Sequence, residues 1–426
     1  MSSDAVSPAD GRYGEETSPL ARYFSERALT GERVRVELAY LRFLVRAGVA
    51  PKSRVPDLVP SVEKIKKLEQ DLGHDVKAVE VYIRNELLVS NRSLAPFVHL
   101  GLTSEDTNSL AYAVLLKGAM AKVLVPEYSS LALRLAVLAR KEAASEMAAR
   151  THGRPAVPTT FGKEVAVFAV RIAERVGVLG RLAPMAKFSG AVGTYASFGL
   201  LGKRDWPAEL ADFVSSFGVE PAAYSTQVVP GERLSDILHS VINLNQLMVS
   251  LARDLWLYQT LDLVRFLRPG KVSSSTMPQK VNPVDVENAE GQAEISNAIL
   301  TFLAYRLQVT RLQRDLSDSV IRRMVGQGLA HSLVAAKRLQ LSLRSMEVDR
   351  AAMKADLERH PEVYAEREQI VRRLEGDEMG YEKVKEAIEK GRFGPVARKR
   401  GAYLGEATRL AEDCPAVVKR LLKPSS

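Results

Sequence analysis

Lys271-Val-Ser-Ser-Ser-Thr-Met-Pro-Gln-Lys-Val-Asn-Pro-Val-Asp-Val-Glu-Asn-Ala-Glu-Gly-Gln292 joins a proline-punctuated, serine-rich run to an acidic one, and the rest of the chain is organised around it. Pro278 and Pro283 donate no backbone hydrogen bond, and each pushes the residue before it out of the α region, so 270–283 is a loop. After Pro283 come Asp285 and Glu287, acids in a first helical turn, where the macrodipole favours them. The result is a small-residue loop bearing serine hydroxyls, Lys280 and Asn282, fastened to the start of a helix. Polar groups on a loop held by rigid elements are where catalysis usually sits, although a Ser-rich linker has the same composition.

Outward from this loop the chain reads as helix. Ile237, Val241, Leu244, Met248, Leu251, Leu255 and Tyr258 step alternately by four and three, a heptad seam within 231–265. Long helices are also predicted over 111–147 (with Pro126 as a kink), 161–182, 284–313 and 319–346. Together they predict an all-α protein around a central bundle of long helices, and a bundle this long buries its outer stripes against other subunits. The organisation expected is a helical domain over 1–106, the bundle over 107–346 and a smaller, more charged helical domain over 347–426. Residues 1–33 read as an extended arm before a helix starting near Ser18 or Ser25.

Composition narrows the class. Of the 426 residues 46% are apolar and no repeat appears, so the chain is globular. Cys414 stands alone, which excludes an internal disulfide and a cysteine-based zinc site. No apolar run approaches the roughly 18 residues that span a bilayer, and the start carries no charged-then-apolar signal, so no membrane partner and a cytoplasmic address are expected. The net charge of +9 fits nucleic-acid binding or the steering of a small polyanionic substrate. Basic residues are dispersed, without a dense tail or interleaved aromatics, which favours the substrate reading and predicts no nucleic-acid partner.

Four further clusters carry polar chemistry. Thr103-Ser-Glu-Asp106 precedes an apolar helix and reads as an N-cap with acids in the first turn, a natural carboxylate site. His74-Asp75 reads, from the residues alone, as a surface pair. His152 lies between helical stretches on a turn with Gly153, Pro155 and Pro158. Finally, Ser319 and Arg323 fall i, i+4 on one helical face with Arg314 nearby, which suits either a phosphate cradle or a capped, solvated helix start.

The wording of these clusters carries a resemblance. Ser273-Ser-Ser-Thr-Met-Pro-Gln-Lys-Val-Asn-Pro283 resembles the signature loop of the fumarase/aspartase superfamily, usually Gly-Ser-Ser-x-Met-Pro-x-Lys-x-Asn-Pro. Ala149-Arg-Thr-His-Gly-Arg-Pro-Ala-Val-Pro158 resembles its Thr-His-Gly-Gln-Pro-Ala turn, with Arg154 in place of Gln. Within that superfamily Ser7-Pro-Ala-Asp-Gly-Arg-Tyr13 and Tyr381-Glu-Lys-Val-Lys-Glu-Ala-Ile-Glu-Lys-Gly391 resemble the adenylosuccinate lyases, and Gly190-Ala-Val-Gly-Thr-Tyr-Ala196 resembles the adenylosuccinate and argininosuccinate lyases more than the fumarases. The likeness therefore runs from Arg12 to Gly391.

The resemblance implies a fold, a reaction and a set of site residues. The fold is the three-domain, tetramer-forming helical one. The reaction is β-elimination of fumarate from adenylosuccinate, giving AMP, and from the succinylated carboxamide ribonucleotide of purine synthesis. By the same likeness Ser274 is the base, His152 the general acid, Glu287 the carboxylate that charges it, and Lys280 a stabiliser of the developing charge, with His74 at the same centre. Substrate contacts fall to Arg12, Tyr13, Asp75, Thr103, Ser104, Thr151, Gln227, Ser275, Asn282, Arg314, Ser319 and Arg323. Each site draws on three subunits of a homotetramer, and no metal or organic cofactor is needed. Gly73, Arg154 and Ser273 depart from the family pattern. The alternatives are an argininosuccinate lyase, which shares Met-Pro-Gln-Lys, or an inactive basic scaffold or nucleic-acid binder.

Overall fold

The computed structural model describes residues 4–267, 276–277, 279–394 and 403–423. Among these, helices dominate and strands occur only as three two-stranded sheets. The chain forms two compact units, each drawn from three stretches: Met1–Pro126, Val178–Asn243 and Glu294–Val334 in the first, and Glu127–Gly177, Leu244–Ala293 and Ala335–Ser426 in the second.

The heptad seam predicted in 231–265 is a continuous helix of 29 residues, Glu232–Thr260. It stops where Asp262 takes the left-handed conformation (φ 58°) and leads into the short strand Val264–Phe266, which pairs antiparallel with Met346–Val348. Pro126 does not simply kink a helix over 111–147. The α-helix Ser104–Ala119 passes through a π-helical turn, Met120–Leu124, into Val125–Lys141, so the irregularity lies in the turn before the proline that lacks an N–H. By length and composition Ser104–Lys141 is apolar enough to cross a membrane, but half of its most apolar window is buried, as in a core helix. The helix predicted over 284–313 ends at Arg306, and that over 319–346 is split into Ser317–Arg322 and Val325–Ser345.

The N-terminal arm is not extended. Backbone bonds from Asp10 and Gly11 to Ser7 O and from Tyr13 to Pro8 O coil it into tight turns, and Thr17 Oγ1 donates to Ala9 O at 2.8 Å. The first helix accordingly begins at Gly14, ahead of the Ser18 or Ser25 start. Pro19 sits inside it, where no N–H answers Glu15 O; the Ser18 hydroxyl donates there at 2.9 Å.

The first unit is built around the helix Glu26–Arg46, whose buried stripe runs Leu29, Arg33, Val36, Tyr40 and Leu44. Its aromatic centre is Phe213, with ring centroids 4.9 Å from Phe188, 5.3 Å from Phe217 and 5.5 Å from Phe43 in tilted or edge-on contacts. In the second unit the helix Val125–Lys141 stops short of the end predicted at 147, and an antiparallel hairpin, Glu146–Thr151 with Arg154–Thr160, follows. Phe161 at its foot packs edge-on against Tyr258 at 5.5 Å.

Candidate active site

The hairpin presents His152. Thr151 and Arg154 pair across the ladder, leaving His152 (φ 55°) and Gly153 (φ 74°) as a two-residue loop with both residues left-handed. That is the signature of a type I′ turn, whose twist matches the strands, and glycine suits its second position. The prolines that argue against a strand, Pro155 and Pro158, are tolerated because a two-stranded ribbon leaves one edge of each strand unpaired. Thr151 and His152 are exposed at the tip, and among the described residues His152 makes no hydrogen bond or ion pair. At the base, Arg150 Nη2 grips the buried Asp356 carboxylate at 2.7 and 2.9 Å, fixing the strand to the helix Arg350–Arg359.

In the same unit Glu287 sits in the first turn of Val284–Arg306, where its Oε1 accepts the Trp256 indole N–H at 3.2 Å. It does not meet His152 within the chain. Lys280 is exposed, its N–H bonded to Met277 O at 3.1 Å, and Asn282 stands one residue, Pro283, ahead of the helix Val284–Arg306. Ser274 and Ser275, with most of the loop's first half, lie outside the described residues.

The first unit gathers much of the remaining set. Asp75 accepts Arg33 Nη2 at 2.7 Å and Arg323 Nη2 at 3.0 Å, and Arg323 Nη1 also reaches Glu26 at 2.7 Å. Burial pushes the Asp75 pKa up, but the Arg33 and Arg323 charges and the Val76 N–H outweigh it and hold the carboxyl below its ordinary range. Arg314 donates to Gln227 Oε1 and to Glu105 Oε1, both at 3.2 Å. Arg322 pairs with Glu105 at 3.5 Å and Asp318 at 3.2 Å and lies over the Tyr112 ring. Burial, with Glu105 close by, keeps the Asp318 pKa above its ordinary value despite Arg322 and Arg314. In this cluster Arg33, Arg314, Arg322 and Arg323 are matched by the carboxylates of Glu26, Asp75, Glu105 and Asp318.

His74 is exposed next to Asp75, and its Nδ1 accepts the Lys77 N–H at 3.3 Å as the helix cap. Ser319 differs from the expectation. It lies within the six-residue helix Ser317–Arg322 with its hydroxyl donating to Leu316 O at 2.9 Å, and Arg323 caps that short helix, so neither stands at the start of a long one. Thr103 and Ser104 begin Ser104–Ala119, and Asp106 reaches back to the Thr103 N–H at 2.8 Å. Arg12 is exposed beside the buried Tyr13, its guanidinium 6.0 Å from that ring.

Arg33, Glu105 and Arg322 were not anticipated. Arg33 had left a signal, a charge at a buried position of an apolar stripe between Leu29 and Val36.

Comparison with known proteins gives this arrangement a class. The fold is shared with the 3-carboxy-cis,cis-muconate lactonizing enzyme of Pseudomonas putida (TM-score 0.80, 20% identity, 95% of this chain and 98% of that one). A fumarate lyase from Mesorhizobium sp. BNC1 has it too (TM-score 0.73, 19% identity, 95% and 97%). Residues 11–295 match the family described as lyase, so the fold and sequence together define a lyase of the fumarase/aspartase class. Residues 310–399 match the adenylosuccinate lyase C-terminal family. An adenylosuccinate lyase of Legionella pneumophila is 37% identical over 401 residues, covering 90% of this chain and 88% of that one, and one of Escherichia coli is 36% identical over 402 residues, covering the same shares. The chain belongs to the adenylosuccinate lyase family.

Proposed function

We propose that the chain eliminates fumarate from adenylosuccinate, leaving AMP, and from the succinylated carboxamide ribonucleotide, leaving its carboxamide. The observation that carries the reading is the pairing of Arg314 with Gln227 and of Arg323 with Asp75 in one cluster. Guanidinium forks match phosphate oxygens bidentately, and a substrate without a phosphate has no use for this cluster in addition to the Thr103–Ser104 carboxylate site. Binding exchanges the side-chain carboxylates around these arginines for substrate phosphate oxygens.

The chemistry removes a proton from Cβ of the succinyl group, forms the C=C bond of fumarate and breaks the C–N bond, whose electron pair stays on nitrogen. Ser274 takes the proton, and Lys280 stabilises both its alkoxide and the carbanion, in the manner of an oxyanion hole. His152 protonates the departing nitrogen as general acid. Glu287 charges and orients that imidazole. The Thr103–Ser104 turn and Asn282 hold the carboxylates.

His152 is exposed on its turn and Glu287 is engaged with Trp256, so the reading requires other copies to complete the site. The helix Val284–Arg306 offers an apolar stripe, Ile295, Phe302 and Tyr305, exposed to 47%, 56% and 63% at heptad spacing. A homotetramer sharing three subunits per site satisfies both. Fumarate release measured spectrophotometrically from adenylosuccinate, argininosuccinate and malate in separate reactions tests the substrate. Turnover of adenylosuccinate is expected, and fumarate from argininosuccinate alone would overturn the reading.

A further inference from the structure

Lys187 and Asp106 form an ion pair, Nζ to Oδ1 2.9 Å, with neither side chain reaching solvent. Taking two charges out of water costs several kcal/mol per ion, and packed apolar side chains fill the same space without that penalty. Here the charges do something apolar groups cannot, which is to bind backbone. Asp106 Oδ2 accepts the Thr103 N–H at 2.8 Å, and Oδ1 accepts those of Ser189 and Gly190 at 2.9 and 3.2 Å. Lys187 Nζ donates to Gly190 O at 2.5 Å. One carboxylate and one ammonium thus lock the entry of the helix Ser104–Ala119 to the 189–190 turn.

That turn hands the constraint on. Ser189 Oγ lies 2.8 Å from Ser225 Oγ, and Gly193 (φ 81°) packs so closely that a Cβ would stand 2.0 Å from Ser225 O. Two residues beyond Ser225 is Gln227, held from its other side by Arg314 at 3.2 Å. A rigid path therefore runs from Thr103 through Asp106, Lys187 and Gly193 to the Ser225–Gln227 segment.

We propose that Lys187 and Asp106 are positioning residues that fix the Thr103–Ser104 turn for the dicarboxylate half of the substrate, an inference resting on that turn's role as a carboxylate site. The two reaction products separate the halves, since fumarate carries only carboxylates and AMP only the base and phosphate. The variant Asp106→Asn/Lys187→Met removes both charges together and leaves no unpaired ion in the interior. Its single amide oxygen cannot serve all the N–H groups that the carboxylate accepts, so the turn and the 189–190 loop come apart. The expected result is a rise of about tenfold or more in the inhibition constant of fumarate, the scale of a lost hydrogen bond to a charged group, with that of AMP within about twofold. Thermal unfolding and subunit mass establish that the variant is assembled. Should it fail to assemble, Asp106→Glu, which keeps the charge beside Lys187 but moves its oxygens off the Thr103 N–H, gives the same split at smaller amplitude. An unchanged fumarate constant, or equal losses for fumarate and AMP, overturns the proposal. Thr103→Val/Ser104→Ala provides the reference: no loss of fumarate binding there refutes the carboxylate site itself, whereas a loss there without one in Asp106→Asn/Lys187→Met refutes only the positioning pair.

Discussion

Gly153 offers a graded perturbation of the proposed acid. It holds φ 74° next to His152 at φ 55°, and no heavy atom lies within 4 Å of the position its Cβ would take. The cost of a side chain there is therefore backbone strain alone, about 1–2 kcal/mol for an ordinary L-residue and less for asparagine, which visits this region routinely. A β-branched residue is worse still. The hairpin can relieve the strain only by leaving the type I′ geometry, and that swings His152 on the tip. If His152 donates the proton, a displacement of about 1 Å costs on the order of a hundredfold in rate. The series Gly153→Asn, Gly153→Ala and Gly153→Val should lower kcat in that order, from within about threefold of the parent for asparagine to roughly a hundredfold below it for valine. The turn is exposed and adds little to the core, so Tm should move by no more than about 4 °C per kcal/mol of strain. Initial rates of fumarate formation and thermal melts on the same preparations give both quantities. A valine variant as fast as the asparagine variant would refute the claim that this turn places the acid.

Other outcomes concern the first unit. Arg323→Ala should raise KM for adenylosuccinate roughly tenfold or more, the scale of a charge-assisted hydrogen bond, with a smaller change in kcat; an unchanged KM would remove it from the phosphate cradle. His99 Nδ1 lies 2.7 Å from Glu37 Oε1; burial lowers the imidazole pKa, but the Glu37 charge more than offsets this and the net shift is upward from 6.5. The folded state then holds that proton more tightly, so the stabilisation is complete below about pH 6.5 and is lost as pH rises through the higher folded value. A His99→Gln variant should flatten unfolding free energy against pH across that window, and a slope identical to the parent's would contradict the pairing. Phe213→Ala removes the ring that touches Phe43, Phe188 and Phe217 and should destabilise the protein by about 3–5 kcal/mol in denaturant unfolding, a loss below about 1 kcal/mol being inconsistent with its central place.

The long helices were legible because their signals are local. Heptad spacing alone predicts Glu232–Thr260 to within a few residues, and Pro283 followed by acids marks the start of Val284–Arg306. The 146–160 hairpin was not, because Pro155 and Pro158 speak against a strand and only its freedom from a third strand makes them harmless. Asp106 was readable as an acid in a first helical turn, but its second oxygen answers Lys187, Ser189 and Gly190, more than eighty residues on, and no periodicity connects such partners. Separations of 42 and 248 residues likewise hid the pairing of Asp75 with Arg33 and Arg323. Ser319 was misplaced for a different reason: Ser317–Arg322 and Val325–Ser345 are interrupted at 323–324, and a continuous apolar pattern conceals a break of that size.

Mixing two inactive variants bears most directly on a centre built from several copies of this chain. His152→Ala and Ser274→Ala, each without detectable turnover of adenylosuccinate, are combined in equal amounts, allowed to exchange subunits, and assayed for fumarate release. With the acid and the base contributed by different subunits, about a quarter of the parental activity should return, the fraction of sites in which both contributors are intact. Native mass measurements showing mixed oligomers that remain as inactive as either parent would contradict the account.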